Sequence, residues 1–239
     1  ITTGNIETAN NGVGVINFYS GSLQQDNANL IVGQGSGSNA TFNMEGGTMT
    51  LFNQLRIANR DNTGEFNLNG GIVNVGTILD IGNTGGLTAA GTGTLNMNDG
   101  ELNVGSRTAG ALKVGNANST FATSVANLLG GTTTVSGGIY VAALGADSSG
   151  TLNIGDGTST PTVINTGSNV EVGSQGTGIT TLKSGNLYQE SANLVIGQAT
   201  TGNGTVNVEG GKWWLGFNGS TQASNNVSDL NFNNGISEL

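Results

Sequence analysis

Few residues in this chain have the types that commonly carry chemistry. The 239 residues include no His and no Cys, which excludes Ser/His and Cys/His nucleophile pairs and metal sites built on those ligands. Asp99 and Glu101 could serve as paired carboxylates, but they flank Gly100, where acidic residues favour turns. Other acidic residues in loop-like stretches could at most hold a stray cation: Asp61, Asp147 and Asp156. The sequence therefore predicts no catalytic, cofactor-binding or metal-binding residue.

Tyr188 and Trp214 are the strongest candidates for a binding contact. They occupy the same position in two consecutive repeats of the chain, whereas Trp213 takes the neighbouring position, which faces the interior. This spacing predicts that the two outward rings stack on each other at the surface. A surface aromatic pair could bind sugar rings or a neighbouring subunit, or it could only stabilise the local strand pairing. The sequence leaves both interpretations open.

The elements that carry these residues are copies of one short unit. Residues 93–104 contain a strand of the Leu95-Asn96-Met97 type, a glycine corner and a strand of the Leu102-Asn103-Val104 type. The central residue of the first strand recurs at intervals of 24 to 31 residues, at Asn17, Asn43, Asn67, Asn96, Asn127, Asn153, Thr181, Asn207 and Asn231. A near-regular period of this length is typical of a repeat architecture.

Each repeat predicts three short strands and no helix. The third strand is of the Leu112-Lys113-Val114 type, and a variable loop rich in Gly, Ser, Thr and Asn follows it. Strands this short with no helix between them cannot form a βαβ sheet, whereas stacked coils with three parallel sheets satisfy the pattern. The sequence thus predicts one all-β domain over residues 1–239. It would be a right-handed parallel β-helix (β-solenoid) of about eight coils.

Two outward rows are expected to form ladders. The first row, which we call the anchor row, consists of the central residues of the first strands. It is Asn in eight of nine positions, so each amide could bond to the amide one coil away. Such a stripe could bind a glycan or ice, but the self-satisfied ladder is favoured. The regular Thr-x-Thr rows that an ice-binding face would need are absent. In the third strands, the outward positions include Ile31 and Val195, and Arg56, Asp80 and Lys113 predict a row of alternating charge. Such a row could line a substrate groove, but a surface stack of ion pairs that stabilises only weakly is favoured.

Two stretches interrupt the repeat. Residues 117–125 and 155–161 are expected to be loop excursions, and the second is expected to replace a normal second strand. Pro161 supports this interpretation because a proline cannot donate a hydrogen bond within a central ladder.

Charge and hydropathy exclude several kinds of partner. Six basic residues against fifteen acidic ones give a net charge of −9, so the basic residues are too few to form a patch that neutralises phosphate groups. Nucleic acid and anionic membrane surfaces are therefore not expected as partners. No apolar run reaches the length of a membrane span, so membrane insertion is not expected either. Because the chain begins at Ile1, we expect either that a leader has been removed or that the chain is a fragment.

The two ends of the chain are expected to be half-coils. Residues 1–9 match the back half of a repeat and residues 230–239 the front half, so joining two copies would complete a coil of 25 residues. Two explanations stay open: subunits that polymerise head to tail by completing each other's coils, or a piece of a longer repeat protein. The residues expected at the head-to-tail contact are Ile1, Ile6, Thr8, Leu230, Phe232, Ile236 and Leu239.

The unit Gly-x-Gly-Thr-Leu-Asn-Met-Asn-x-Gly-x-Leu-x-Val, most complete at residues 91–104, resembles autotransporter-associated β-strand repeats and filamentous-adhesin-like passengers of bacterial surface proteins. The resemblance implies an exported, extracellular β-helix with adhesive or matrix roles. The expected function is a non-enzymatic subunit of a surface or matrix filament, with identical subunits as partners and no cofactor. The alternative is a glycan- or surface-binding adhesin segment. A polysaccharide-active enzyme is the least favoured reading.

Overall fold

Every described element is a β-strand, and the strands stack into three parallel sheets. The structure is a computed structural model that describes residues 4–83, 91–115, 123–143, 145–190, 192–215, 221–223, 228–232 and 236–238. At Asn83 and in the last three ranges it describes the backbone alone. No helix in these ranges has the length and apolar character needed to cross a membrane. The three sheets enclose one apolar core, so the fold is a β-solenoid with three strands per coil, as the repeat predicts.

Each sheet collects one strand from every coil. Sheet 1 contains the first strands: β2 (Val13–Phe18), β5 (Asn39–Met44), β8 (Thr63–Leu68), β11 (Thr92–Met97), β14 (Thr123–Leu128), β17 (Ser149–Ile154), β20 (Thr177–Leu182), β23 (Asn203–Val208) and β26 (Ser228–Phe232). Sheet 2 contains the second strands: β3 (Ser22–Gln25), β6 (Thr48–Leu51), β9 (Ile72–Val75), β12 (Glu101–Val104), β15 (Thr132–Val135), β18 (Thr162–Asn165), β21 (Asn186–Gln189), β24 (Lys212–Leu215) and β27 (Ile236–Glu238). Sheet 3 contains the third strands: β1 (Ile6–Thr8), β4 (Leu30–Val32), β7 (Leu55–Asn59), β10 (Leu79–Asn83), β13 (Leu112–Val114), β16 (Ile139–Val141), β19 (Val170–Val172), β22 (Leu194–Ile196) and β25 (Thr221–Ala223).

The strands of neighbouring coils pair without a slip in register. On sheet 1, Asn17 lies opposite Asn43, and this position continues through every anchor residue to Asn231. Seven turns separate Asn17 from Asn207 and an eighth reaches Asn231, which confirms the predicted number of coils. The right-handed sense of the solenoid stays a prediction.

The core is a column of aliphatic side chains from the inward positions of all three sheets. Successive residues of a strand point to opposite faces, so Leu95 and Met97 are fully buried while Asn96 between them is half-buried. The rings of Phe42 and Phe66 stack inside the column, with centroids 5.1 Å apart and planes 7° from parallel. One coil cannot bury its apolar face alone, so stability depends on contacts between neighbouring coils.

One inward row of sheet 1 is occupied by very small residues. A Cβ atom added to Gly93 would lie 2.7 Å from both the Ile57 carbonyl oxygen and the Gly82 nitrogen. The backbone of sheet 3 therefore approaches too closely for a side chain at this point. The row continues through the other coils as Gly14, Ala40, Gly64, Ser124, Gly150, Gly178 and Gly204. This close approach explains why glycine recurs at the second position of the first strands.

The structure corrects two expectations about the irregular stretches. Residues 155–161 form a loop, but no second strand is lost, because β18 follows the loop and pairs with β15 and β21. The extra residues are inserted at the corner before the strand, where they leave the ladder intact. Val125, expected in a loop, lies inside β14 and pairs with Thr94. Residues 117–122 of that stretch lie outside the described residues.

Candidate functional surfaces

The anchor row forms the predicted amide ladder along the outside of sheet 1. In each rung the Nδ2 of one Asn donates to the Oδ1 of the Asn one coil earlier, at 2.8 or 2.9 Å. The ladder joins Asn17, Asn43, Asn67, Asn96, Asn127 and Asn153. It is interrupted at Thr181, which keeps the register but has a hydroxyl in place of the amide. Because these amides bond to one another, the row is mainly a stabilising device.

Two further rows of polar contacts between coils were not foreseen from the sequence. Asn98 donates to the Asn69 side chain at 2.7 Å, and Asn69 donates to Glu45 Oε1 at 2.9 Å, just beyond the first strands. On sheet 2, Asn103 donates to Asn74 Oδ1 at 3.0 Å. The sequence does contain a pattern for these contacts, because the residues of each row lie at the same position relative to the anchor row. Each row spans only two or three coils, so the pattern is short.

Tyr188 and Trp214 stack across neighbouring strands of sheet 2, as their spacing predicts. Their ring centroids are 6.1 Å apart and the planes are 18° from parallel, and the Lys212 ammonium lies 5.7 Å from the Trp214 centroid. Trp213 faces inward and is 4% exposed. Tyr188 lies between Ile164 and Trp214 in the register, so each ring of the stack covers one face of the other. The stack therefore stabilises the pairing of these two strands.

The charged row of sheet 3 has the predicted register but is only partly a surface. Asp80 lies opposite both Arg56 and Lys113, and it is 7% exposed. Arg56 Nε also donates to Gln54 Oε1 at 2.7 Å. Ile31 and Val195, expected to be outward surface positions of the same row, are both buried. The row therefore does not form a continuous substrate groove.

The acidic candidates act locally. Asp99 Oδ1 accepts a hydrogen bond from the Gly100 nitrogen at 2.7 Å, and Glu101 Oε1 accepts one from Asn103 at 2.7 Å. The Asp99 contact agrees with turn formation, whereas Glu101 bonds within its own strand, β12. Among the residues that the structure describes, no group of three or more acidic side chains could hold a metal ion.

Asp156 organises the loop of residues 155–161. Its Oδ1 accepts hydrogen bonds from the Ser159 nitrogen at 2.7 Å and from the nitrogen and hydroxyl of Thr158 at 2.8 and 2.9 Å. The backbone N–H group of Ser159 makes the largest contribution, followed by that of Thr158, and together they hold the pKa of Asp156 well below its usual range. The ionised carboxylate therefore holds this turn at neutral pH, and the contribution is lost only as the pH falls through the lowered pKa.

Five of the seven residues expected at the head-to-tail contact lie on strands at the two ends of the described sheets. Ile6 and Thr8 belong to β1 and pair with Leu30 and Val32. At the other end the register partners are Leu230 with Val206, Phe232 with Val208 and Ile236 with Lys212. Ile1 and Leu239 lie outside the described residues. The contact itself stays a prediction.

No protein-family model, curated protein or solved structure matches the chain. The strand pairing by itself establishes the β-solenoid class. The resemblance to autotransporter-associated and filamentous-adhesin-like repeats stays a prediction from the sequence.

Proposed function

We propose that the chain is a non-enzymatic structural component of an extracellular surface or matrix fibre. The observation that carries this proposal is the register of the three parallel sheets, which continues through every described coil. Backbone ladders on three sides join each coil to the next, so the coils stack as one rod. At about 4.8 Å per coil, the seven turns from Asn17 to Asn207 extend for about 34 Å. The extracellular location rests on the resemblance of the repeats.

The chemistry of the chain supports the non-enzymatic part of the proposal. The sequence has no His or Cys to activate a nucleophile. The acidic side chains proposed as candidates, Asp99, Glu101 and Asp156, accept hydrogen bonds from residues one to three positions further along the chain. Each of these carboxylates already has a local structural role.

The proposed assembly is head to tail, with identical subunits as partners. Within the described chain, β1, β2 and β3 form one edge of the three sheets and β25, β26 and β27 form the other. Backbone groups at a sheet edge can pair with a further strand. Pairing of one edge with the opposite edge of another copy is a heterologous contact, which extends without closing.

Electron microscopy of the purified protein tests the assembly. We expect filaments one solenoid wide. An Ile6→Lys change places a charge in an inward row of β1 and should abolish the filaments. The matched change Glu7→Lys, on the outward side of the same strand, should leave them intact. Single short rods from the unaltered protein, or equal effects of the two substitutions, would contradict head-to-tail assembly.

A glycan-binding adhesin is the second candidate function. It is favoured by the half-buried Tyr188–Trp214 stack with Lys212 beside it, because aromatic side chains and their polar neighbours often contact sugars. A glycan array that shows binding by the unaltered protein and loss of binding by Trp214→Ala would support this function. If binding survives the substitution, the glycan site does not include Trp214 and lies elsewhere on the solenoid.

A further inference from the structure

The outer face of sheet 1 carries very little charge. It has three outward rows: the amide ladder, a middle row and a third row that we call the hydroxyl row. Glu65 in the middle row is the one charged residue among the described side chains of this face, whereas the chain has 21 charged residues, 15 acidic and 6 basic. The hydroxyl row begins at Val13 and continues with seven polar residues: Asn39, Thr63, Thr92, Thr123, Ser149, Thr177 and Asn203.

The side chains of the hydroxyl row are free to bind. Six of the seven are exposed and Ser149 is half-buried. No hydrogen bond engages their side chains within the part of the chain that the structure describes, in contrast to the neighbouring amide ladder. Donors and acceptors thus recur about 4.8 Å apart along the solenoid, and the middle row runs parallel to them about 6.6 Å away.

We propose that this face binds an extended, neutral polysaccharide that lies along the solenoid axis. A nearly uncharged face does not attract a partner by ion pairing, so it favours a neutral ligand over a charged one. Thr hydroxyls and Asn amides both donate and accept hydrogen bonds, which matches the hydroxyls of sugars. The coil spacing is close to the length of one sugar unit in an extended chain, so successive coils can contact successive sugars.

The middle row supplies the apolar part of the same face. Val125 and Ile179 stand between Thr residues in this row, and Ile179 is 37% exposed. Their methyl groups can pack against the C–H surface of a sugar ring, while the hydroxyl row bonds to its edge. The proposal goes beyond a structural function, because it gives one side of the rod a ligand.

Pull-down with insoluble polysaccharides tests the proposal, with cellulose and chitin as neutral probes and alginate beads as the acidic probe. We expect the unaltered protein to bind at least one neutral probe and not alginate. The double change Thr92→Lys with Thr123→Lys places two long charged side chains on the hydroxyl row and should reduce the bound fraction about tenfold or more. The matched change Thr132→Lys with Thr162→Lys, on outward positions of sheet 2, should leave binding unchanged.

Several outcomes would overturn the proposal. These are no binding to either neutral probe, binding to alginate alone, or equal losses in the two double variants. Lateral association of the rods or inhibition of ice growth without polysaccharide binding would assign the face to a second copy or to ice instead. Circular dichroism confirms folding of each variant, and Thr92→Ala with Thr123→Ala replaces the lysine pair if that pair fails to fold. Fibre formation is scored separately, so failure of one proposal does not decide the other.

Discussion

Thr180 is a buried hydroxyl in a row that is otherwise mostly apolar. It is fully buried at an inward position of β20, where other coils have Phe42, Leu95 and Leu152, and its Oγ1 has no hydrogen-bond partner in the described chain. A buried polar group without a partner costs free energy. We therefore expect Thr180→Val to raise the free energy of unfolding by about 1 kcal/mol, measured by urea denaturation. Thr177→Val, at an exposed position of the same strand, should change it little. A loss of stability in Thr180→Val would contradict this account.

Gly93 tests the close approach of the backbones of sheets 1 and 3. A methyl group at this position would meet the Ile57 carbonyl and the Gly82 nitrogen at 2.7 Å, and backbone atoms cannot move aside as a flexible side chain can. Gly93→Ala should therefore lower the free energy of unfolding by roughly 2 kcal/mol. Gly4→Ala is the control and should be nearly neutral, because a Cβ atom added to Gly4 would meet nothing within 4 Å. If Gly93→Ala left the free energy of unfolding unchanged, the backbones of sheets 1 and 3 would be farther apart here than the structure shows.

At the scale of single residues, the sequence predicts well which side chains face the core and which face outward, but it predicts their burial less well. Leu95 and Asn96 face in and out as the alternation requires, because a strand has a fixed period of two. Asp80, Ile31 and Val195 have the expected register, yet they are buried. Burial on an outer face depends on neighbouring segments, and a strand pattern contains no information about them.

Among the elements, the amide ladder is the feature that most directly joins one coil to the next. Asn96 donates to Asn67 and to Glu65 Oε1 and accepts from Asn127, so Asn96→Ala removes three hydrogen bonds at once. We expect a loss of about 1–2 kcal/mol in unfolding free energy, measured by thermal or urea denaturation. Asn39 is exposed on the same sheet, and no described residue forms a hydrogen bond to its side chain. Asn39→Ala should therefore lower the free energy of unfolding much less. Equal losses in the two variants would show that the ladder adds no stability.

Loops explain where the prediction of elements failed. Residues 155–161 seemed to take the place of a strand because they fall where the second strand normally begins. The structure inserts them at the corner and resumes the strand at Thr162. Spacing from the anchor residue therefore locates a second strand only when the corner has its usual length.

At the scale of the whole molecule, the solenoid should tolerate the loss of an entire coil. Deleting residues 44–67 joins Asn43 to Leu68, which is the register partner of Met44, so every row stays in phase. We expect this variant to fold into parallel sheets and to unfold cooperatively with a smaller dependence on denaturant, because less surface is exposed on unfolding. Deleting residues 44–55 removes half a coil and should prevent folding of the adjacent strands. Comparable circular dichroism and melting curves for the two deletions would contradict a register-dependent stack.

The architecture of the whole chain could be predicted because repetition supplies the same signal many times. Nine anchor positions with one alternation pattern determine the sheets even where one coil is atypical. The hydroxyl row of sheet 1 was missed for a related reason: it mixes Thr, Ser and Asn, so no repeated motif marks it. Only the register shows that these residues share one surface.

Cryo-electron microscopy of the assembled protein tests the central claim most directly. We predict filaments in which the three sheets continue across each junction, with β1–β3 of one copy stacked about 4.8 Å from the last strands of the next. Rods that stay separate, or filaments joined through the sides of the solenoid, would contradict the claim.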